Sequence, residues 1–390
     1  MKNKVHTNHD VIRWAVQRSG RSIEKLRQRF DKIDGWLDGS EYPSLSQLKS
    51  FAKLTATPLG YLFLASPPSE KLPVTDFRTL DDARVRRPSA ALLNTIYEQQ
   101  QRQSWMREYL ISIGEDKLPF VGATSINSTI EIAARNMQSL LQLTDGWAAN
   151  HSTWKDALKT FVESIENVGV LVSTSSYLGT KTNWALSVDE FRGFVLNDEY
   201  APLIFVNGAD SKSARMFTLA HEFVHVMIGQ SGVFDLPFTQ SGDDEVEKFA
   251  NQVAAEFLVP AERLIKDWDR SFSAGDQLRK LASIYKVSPV VMARRALDLK
   301  LIPSRAFREF YKKVRAEWEL DKAKRKEKGG GGGDYYRDQA SRLGNRFSQA
   351  LVSSTREGRT LFNDAYRLSG MRGSTFHKYA DFLQNRESRG

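Results

Sequence analysis

Residues 217–225 read FTLAHEFVH: two histidines four apart, with a glutamate directly after the first, in a segment whose apolar residues recur at helical spacing. In a helix spanning 213–229, His221 and His225 lie one turn apart on one face and converge on a single ion. Glu222, rotated about 100° from His221, is free to face a water beside that ion rather than the ion itself. Two neutral imidazoles suit Zn2+, and a catalytic zinc takes a third protein ligand while keeping its fourth position open. The chain has no cysteine, so that ligand is a His, Asp or Glu.

A continuation of the form His-Glu-x-x-His-x-x-Gly-x-x-His needs glycine at 228 and histidine at 231, and Ile228 and Ser231 exclude it. The other arrangement places a glutamate on a following helix, and DDEVEKFANQVAAEFLVP (243–260) supplies one. Glu247, Asn251, Ala254 and Leu258 share one helical stripe, so Glu247 is the expected ligand, while Glu245 and Glu256 project to the other side. Asn251 is placed to hydrogen-bond a ligating group, and Ala250, Ala254 and Ala255 permit close helix approach. The implied chemistry is metal-assisted hydrolysis of a peptide bond, with Glu222 taking the water's proton and returning it to the leaving amine. The run PLIFVN (202–207) is the expected edge for an extended peptide, with Tyr200 and Arg215 as candidates to stabilise the oxyanion.

Outward from this centre, 390 residues suggest two or three domains. A hydrophobic content of 41% with 26% charged residues describes an ordinary soluble globular protein. No apolar run is long enough to span a membrane and the N-terminus has no signal-like segment, so a cytoplasmic protein is expected, without membrane association. The charge is uneven: +5 over residues 1–65, −5 over 66–300 and +9 over 301–390. Positive ends of this kind meet nucleic acid or an acidic partner, although they also occur as solvated faces.

The periodicity predicts an all-helical unit over 1–66 and an extended, proline-rich linker over 67–88. A core over 89–328 begins with helices near 89–113, 128–143 and 154–167. The runs FRGFVLN (191–197) and PLIFVN then read as antiparallel neighbouring strands. Five glycines at 329–333 form a hinge to a C-terminal helical module, 334–390, whose lone His377 is not a ligand. The expected fold is α+β and mostly helical: a metallopeptidase core with a small antiparallel sheet, flanked by helical modules.

Over residues 10–302 the chain resembles the ImmA/IrrE family of bacterial and phage metallopeptidases, which implies a zincin-like core. The resemblance rests on PLIFVNGADSKSARMFTLAHEFVHVM, EVEKFANQVAAEFLVP, PPSEKLPVTDFRT and LASIYKVSPVVMARRALDLKLI. It implies His221, His225 and Glu247 as zinc ligands and Glu222 as general base; Val224 replaces a glycine common in the family. It also implies a regulatory protein as substrate, or a role beside a co-encoded toxin. The alternative reading is an antitoxin or transcriptional regulator that neutralises a nuclease-type toxin or binds operator DNA, its zinc structural.

Residues 11–64 also resemble a degenerate Xre-type helix-turn-helix, but Asp31, Asp34 and Asp38 stand where a DNA reader needs positive charge. The segment 276–302 has a similar pattern, with Arg294 and Arg295 as phosphate candidates, and equally describes a buried helical pair. DNA binding is therefore the lesser expectation for both.

Overall fold

The computed structural model describes residues 4–70, 75–76, 88–234, 245–269, 271–328 and 334–387. Most of the expected linker and the whole glycine hinge lie outside these residues. The described residues divide into two compact units, one within 1–73, 80–98 and 181–185, the other within 74–79, 99–180 and 186–390.

In the first unit four helices, His9–Ser19, Ile23–Arg27, Ile33–Asp38 and Leu45–Thr55, surround Ile12, Leu26, Ile33, Trp36, Leu48 and Phe51. Ser44 and Gln47 close the last helix's N-terminus with a reciprocal capping box. Ser22 stands at the cap position before Ile23 but accepts no side-chain bond there. Asp34 is paired with Arg27 at 3.0 Å, and Lys32 with Glu41 at 2.8 Å.

The second unit is built on a five-stranded sheet in the order Thr75–Asp76, Gly232–Phe234, Gly193–Leu196, Leu203–Asn207, Leu171–Ser175. Strands Gly193–Leu196 and Leu203–Asn207 are antiparallel, as expected of runs joined by a short turn. The sheet as a whole is mixed rather than antiparallel, because both outer strands join in parallel. Each outer strand reaches its neighbour through a long connection, which can return the chain in the same direction. Leu203–Asn207 is consequently paired on both sides and is not the peptide-accepting edge expected from its sequence. Strands Gly193–Leu196 and Leu203–Asn207 are buried throughout, which accounts for their unbroken apolar runs.

Helices Ile130–Leu141, Trp154–Asn167, Lys212–Ile228 and Glu245–Leu258 pack on one another and on this sheet. Lys212–Ile228 starts where Ser211 accepts a hydrogen bond from the Ala214 amide, and it stops at Gly229, which takes the left-handed conformation at φ 86°. Its residues from Met216 to Met227 are buried without interruption, so it is the central helix of the unit.

The C-terminal helices Tyr335–Leu343, Asn345–Arg356, Phe362–Ser369 and Ser374–Glu387 belong to the same compact unit. Ser173 donates from its hydroxyl to the Arg342 carbonyl at 2.6 Å. A side chain at Gly344 would overlap the Val172 carbonyl, so the chain passes strand Leu171–Ser175 with no room for a Cβ. Next to it, Glu166 accepts from the Arg346 amide at 3.1 Å, placing a carboxylate at a helix N-terminus. Burial pushes Glu166 up to about 7, against the pull of the Arg346 and Asn345 amides.

Candidate metal centre

The central helix carries His221, Glu222 and His225, and the helix Glu245–Leu258 packs beside it. Ala250, Ala254 and Ala255 are buried in the second helix and add little bulk to its packed surface. Glu247, in the first turn of that helix, then faces the two imidazoles. His221 Nε2 and His225 Nε2 are 3.1 Å apart; His225 Nε2 lies 3.1 Å from Glu247 Oε1 and His221 Nε2 lies 3.3 Å from Glu247 Oε2.

This triangle fits a small divalent ion. Ligands about 2.0–2.1 Å from a tetrahedral zinc stand about 3.3 Å from one another, close to the separation of the two imidazole nitrogens and to the distance from each nitrogen to its own Glu247 oxygen. The donor set, two imidazole nitrogens and one carboxylate, is one that catalytic zinc uses. These three form a group able to hold a metal ion among the described residues.

Glu222 is wholly buried, and neither of its carboxyl oxygens accepts a hydrogen bond. Burial pushes its carboxyl well above the ordinary carboxylate range, and the neighbouring Glu247 charge adds to the rise. Burial acts the same way on Glu247, but the His221 and His225 rings outweigh it and hold that carboxyl down at about 2. A bound cation would favour the charged form of both carboxyls.

The other candidate residues have different surroundings. Asn251 lies on the same stripe as Glu247 but makes no hydrogen bond to either histidine or to Glu247 among the described residues. Tyr200 lies under the Arg107 guanidinium at 5.4 Å and makes no hydrogen bond to the site residues. Arg215 precedes Glu222 by two turns on the same helical face; its Nε is buried without a hydrogen-bond partner, and burial lowers its pKa. Glu256, off the expected stripe, pairs with Arg295 and accepts from the Ala261 amide at 3.1 Å. Arg295 also donates to the Val259 carbonyl at 3.0 Å and is buried, so it is not a phosphate contact; Arg294 pairs with Asp298 at 3.0 Å.

One residue of the site was not singled out in the sequence. A Cβ on Gly193 would lie 2.7 Å from Glu222 Oε1 and 2.7 Å from Thr218 Cγ2, so the strand crosses the central helix at Glu222. The available signal was an isolated glycine inside the strand-like run FRGFVLN, which marks a close approach.

Residues 175–297 match the family model of peptidase family M78, described as the IrrE N-terminal-like domain. The match contains the central helix, Glu247 and the strands around them, and it supports a peptidase-like hydrolase. Residues 343–382 match a second model, described as a domain of unknown function (DUF8813). A comparison with curated proteins finds no match. Among the described residues no helix is long and apolar enough to cross a membrane.

Proposed function

We propose that the chain is a zinc-dependent metallo-endopeptidase, with His221, His225 and Glu247 as the ligands and Glu222 as the general base. The observation that carries this reading is the buried triangle of three donors with an unsatisfied carboxyl next to it on the same helix. When bound there, zinc supplies Lewis acidity toward the scissile carbonyl and makes water more acidic. Glu222 accepts a proton from the attacking water at a carboxyl oxygen and delivers it to the departing amine nitrogen. Its burial keeps bulk water from competing for that proton, and the helix fixes its position relative to the three ligands. The resemblance to ImmA/IrrE peptidases supports a regulatory protein as the substrate.

Two measurements test the proposal together. Metal content by mass spectrometry should be near one zinc per chain in the wild type and in Glu222→Gln, and should be lost in His221→Ala and Glu247→Ala. Incubation with an extract of the protein's native host, followed by labelling of new N-termini, should show cleavage by the wild type and none by Glu222→Gln. Zinc-loaded wild type that generates no new ends would instead favour a binding role with a structural metal.

A further inference from the structure

The three helices Asn345–Arg356, Phe362–Ser369 and Ser374–Glu387 largely coincide with the match to the family of unknown function. Between the last two lie only residues 370–373, with Gly370 in the left-handed conformation at φ 70° and Gly373 at φ 48°. Two ring contacts join these helices: Tyr366 with Phe376 at 5.7 Å, and Phe362 with His377 at 5.4 Å. A four-residue turn containing glycine is of the kind that joins the two helices of a helix-turn-helix.

The arrangement has the support such a motif needs. Ala365, Leu368, Met371, Phe376, Tyr379 and Leu383 are buried behind it. Tyr379 and Ser348 share a hydroxyl hydrogen bond of 2.7 Å, which fixes the last helix against Asn345–Arg356.

The exposed side has a distinct chemistry. Arg372, Ser374, His377 and Lys378 are exposed at the turn and along the leading part of the last helix. Arg372 and Lys378 form no ion pair among the described residues. Acids nearby are engaged by other cations: Asp364 by Arg367 at 3.1 Å, Glu357 by Arg359 at 3.0 Å, and Asp381 lies 4.0 Å from Arg356. Hydrogen-bond donors and uncompensated positive charge at the start of a second helix are what phosphates and base edges require. In the other two helix pairs Arg27 is paired with Asp34, Lys32 with Glu41 and Arg294 with Asp298, and Arg295 is buried against Glu256.

We propose that the C-terminal module binds duplex DNA, with the helix Ser374–Glu387 entering the major groove and led by Arg372, Ser374, His377 and Lys378. This assignment is independent of the peptidase reading and holds whether or not the metal centre hydrolyses peptides.

The test uses the full chain and a pool of random-sequence duplexes about 25 base pairs long, a span chosen to exceed one half-site. Iterative selection should enrich a defined sequence, and binding to it should weaken steeply as salt rises. Arg372→Ala with Lys378→Ala should lower affinity at least about tenfold and reduce the slope of log K against log salt by about two. Ser374→Ala or His377→Ala should relax the preference at one position of the selected sequence. Lys378→Glu, at an exposed position, should melt with the wild type while losing binding. The proposal is overturned if the wild type shows no salt-dependent duplex binding, or if the double variant binds with unchanged affinity and slope. It is also overturned if only single-stranded RNA or an acidic protein is bound through these residues.

Discussion

Gly193→Ala tests the geometry of the site without requiring a known substrate. The added methyl would stand 2.7 Å from Glu222 Oε1, 2.7 Å from Thr218 Cγ2 and 3.0 Å from the Phe205 carbonyl oxygen. The last of these belongs to the neighbouring strand, held in register by pairing between Phe194 and Phe205, and cannot retreat alone. Glu222 and Thr218 sit on a helix that is buried around its whole circumference, so they cannot swing into solvent. Overpacking of this kind costs about 1–3 kcal/mol, or a fall in Tm of about 2–10 °C for a unit of this size. Removing the obstructing carboxylate with Glu222→Ala opens space for the methyl. In a double-mutant cycle, Gly193→Ala should therefore cost about 1 kcal/mol less in the Glu222→Ala background than in the wild type. Urea denaturation of the four proteins measures this directly. Additive effects, or a Gly193→Ala protein as stable as the wild type, would refute the close crossing of the strand and Glu222.

Three further outcomes follow from other parts of the molecule. Glu166 titrates near 7 in the folded chain against an ordinary 4.5, so the folded form keeps a proton that the unfolded chain has already lost. Its contribution is neutral below 4.5 and becomes a penalty of about 3 kcal/mol by pH 8; urea titrations between pH 5 and 8 should fall less for Glu166→Gln than for the wild type. Arg295→Ala leaves the partly buried Glu256 without its cation and should cost up to about 3 kcal/mol; a loss below 1 kcal/mol would show that the pair is hydrated. Zinc at a hundredfold excess over its Kd should add about 2.7 kcal/mol, or about 5–10 °C in Tm, reversed by chelator and absent in Glu247→Ala.

The parts of the site legible in the sequence are those set by helical periodicity. His221 with His225, and Glu247 with its alanine-lined face, are each arranged within one helix, where a spacing of three or four residues determines the shared face. The bounds of the central helix were legible for the same reason, since Ser211 and Gly229 are local signals. Features that depend on partners far along the chain were not legible. Arg294 and Arg295 are adjacent and chemically identical; only the fold brings Glu256 to one of them and buries it. PLIFVN reads as an apolar strand whether it lies at the edge or inside the sheet. Its interior position was decided by Leu171–Ser175, which joins in parallel.

Gly193 shows where the boundary between these two kinds of information falls. An isolated glycine in a strand indicates that something approaches closely, and that much is local. What approaches is Glu222, twenty-nine residues later, and that depends on how strand Gly193–Leu196 crosses the central helix. The same holds at Gly344, where the absent Cβ marks the passage of the C-terminal chain over Val172. In both places the glycine records a packing requirement whose partner belongs to another element. A substitution there consequently tests tertiary arrangement rather than backbone preference. For Gly193 the two are separable, because relief of the clash by Glu222→Ala can occur only if packing, and not the glycine's own backbone freedom, sets the cost.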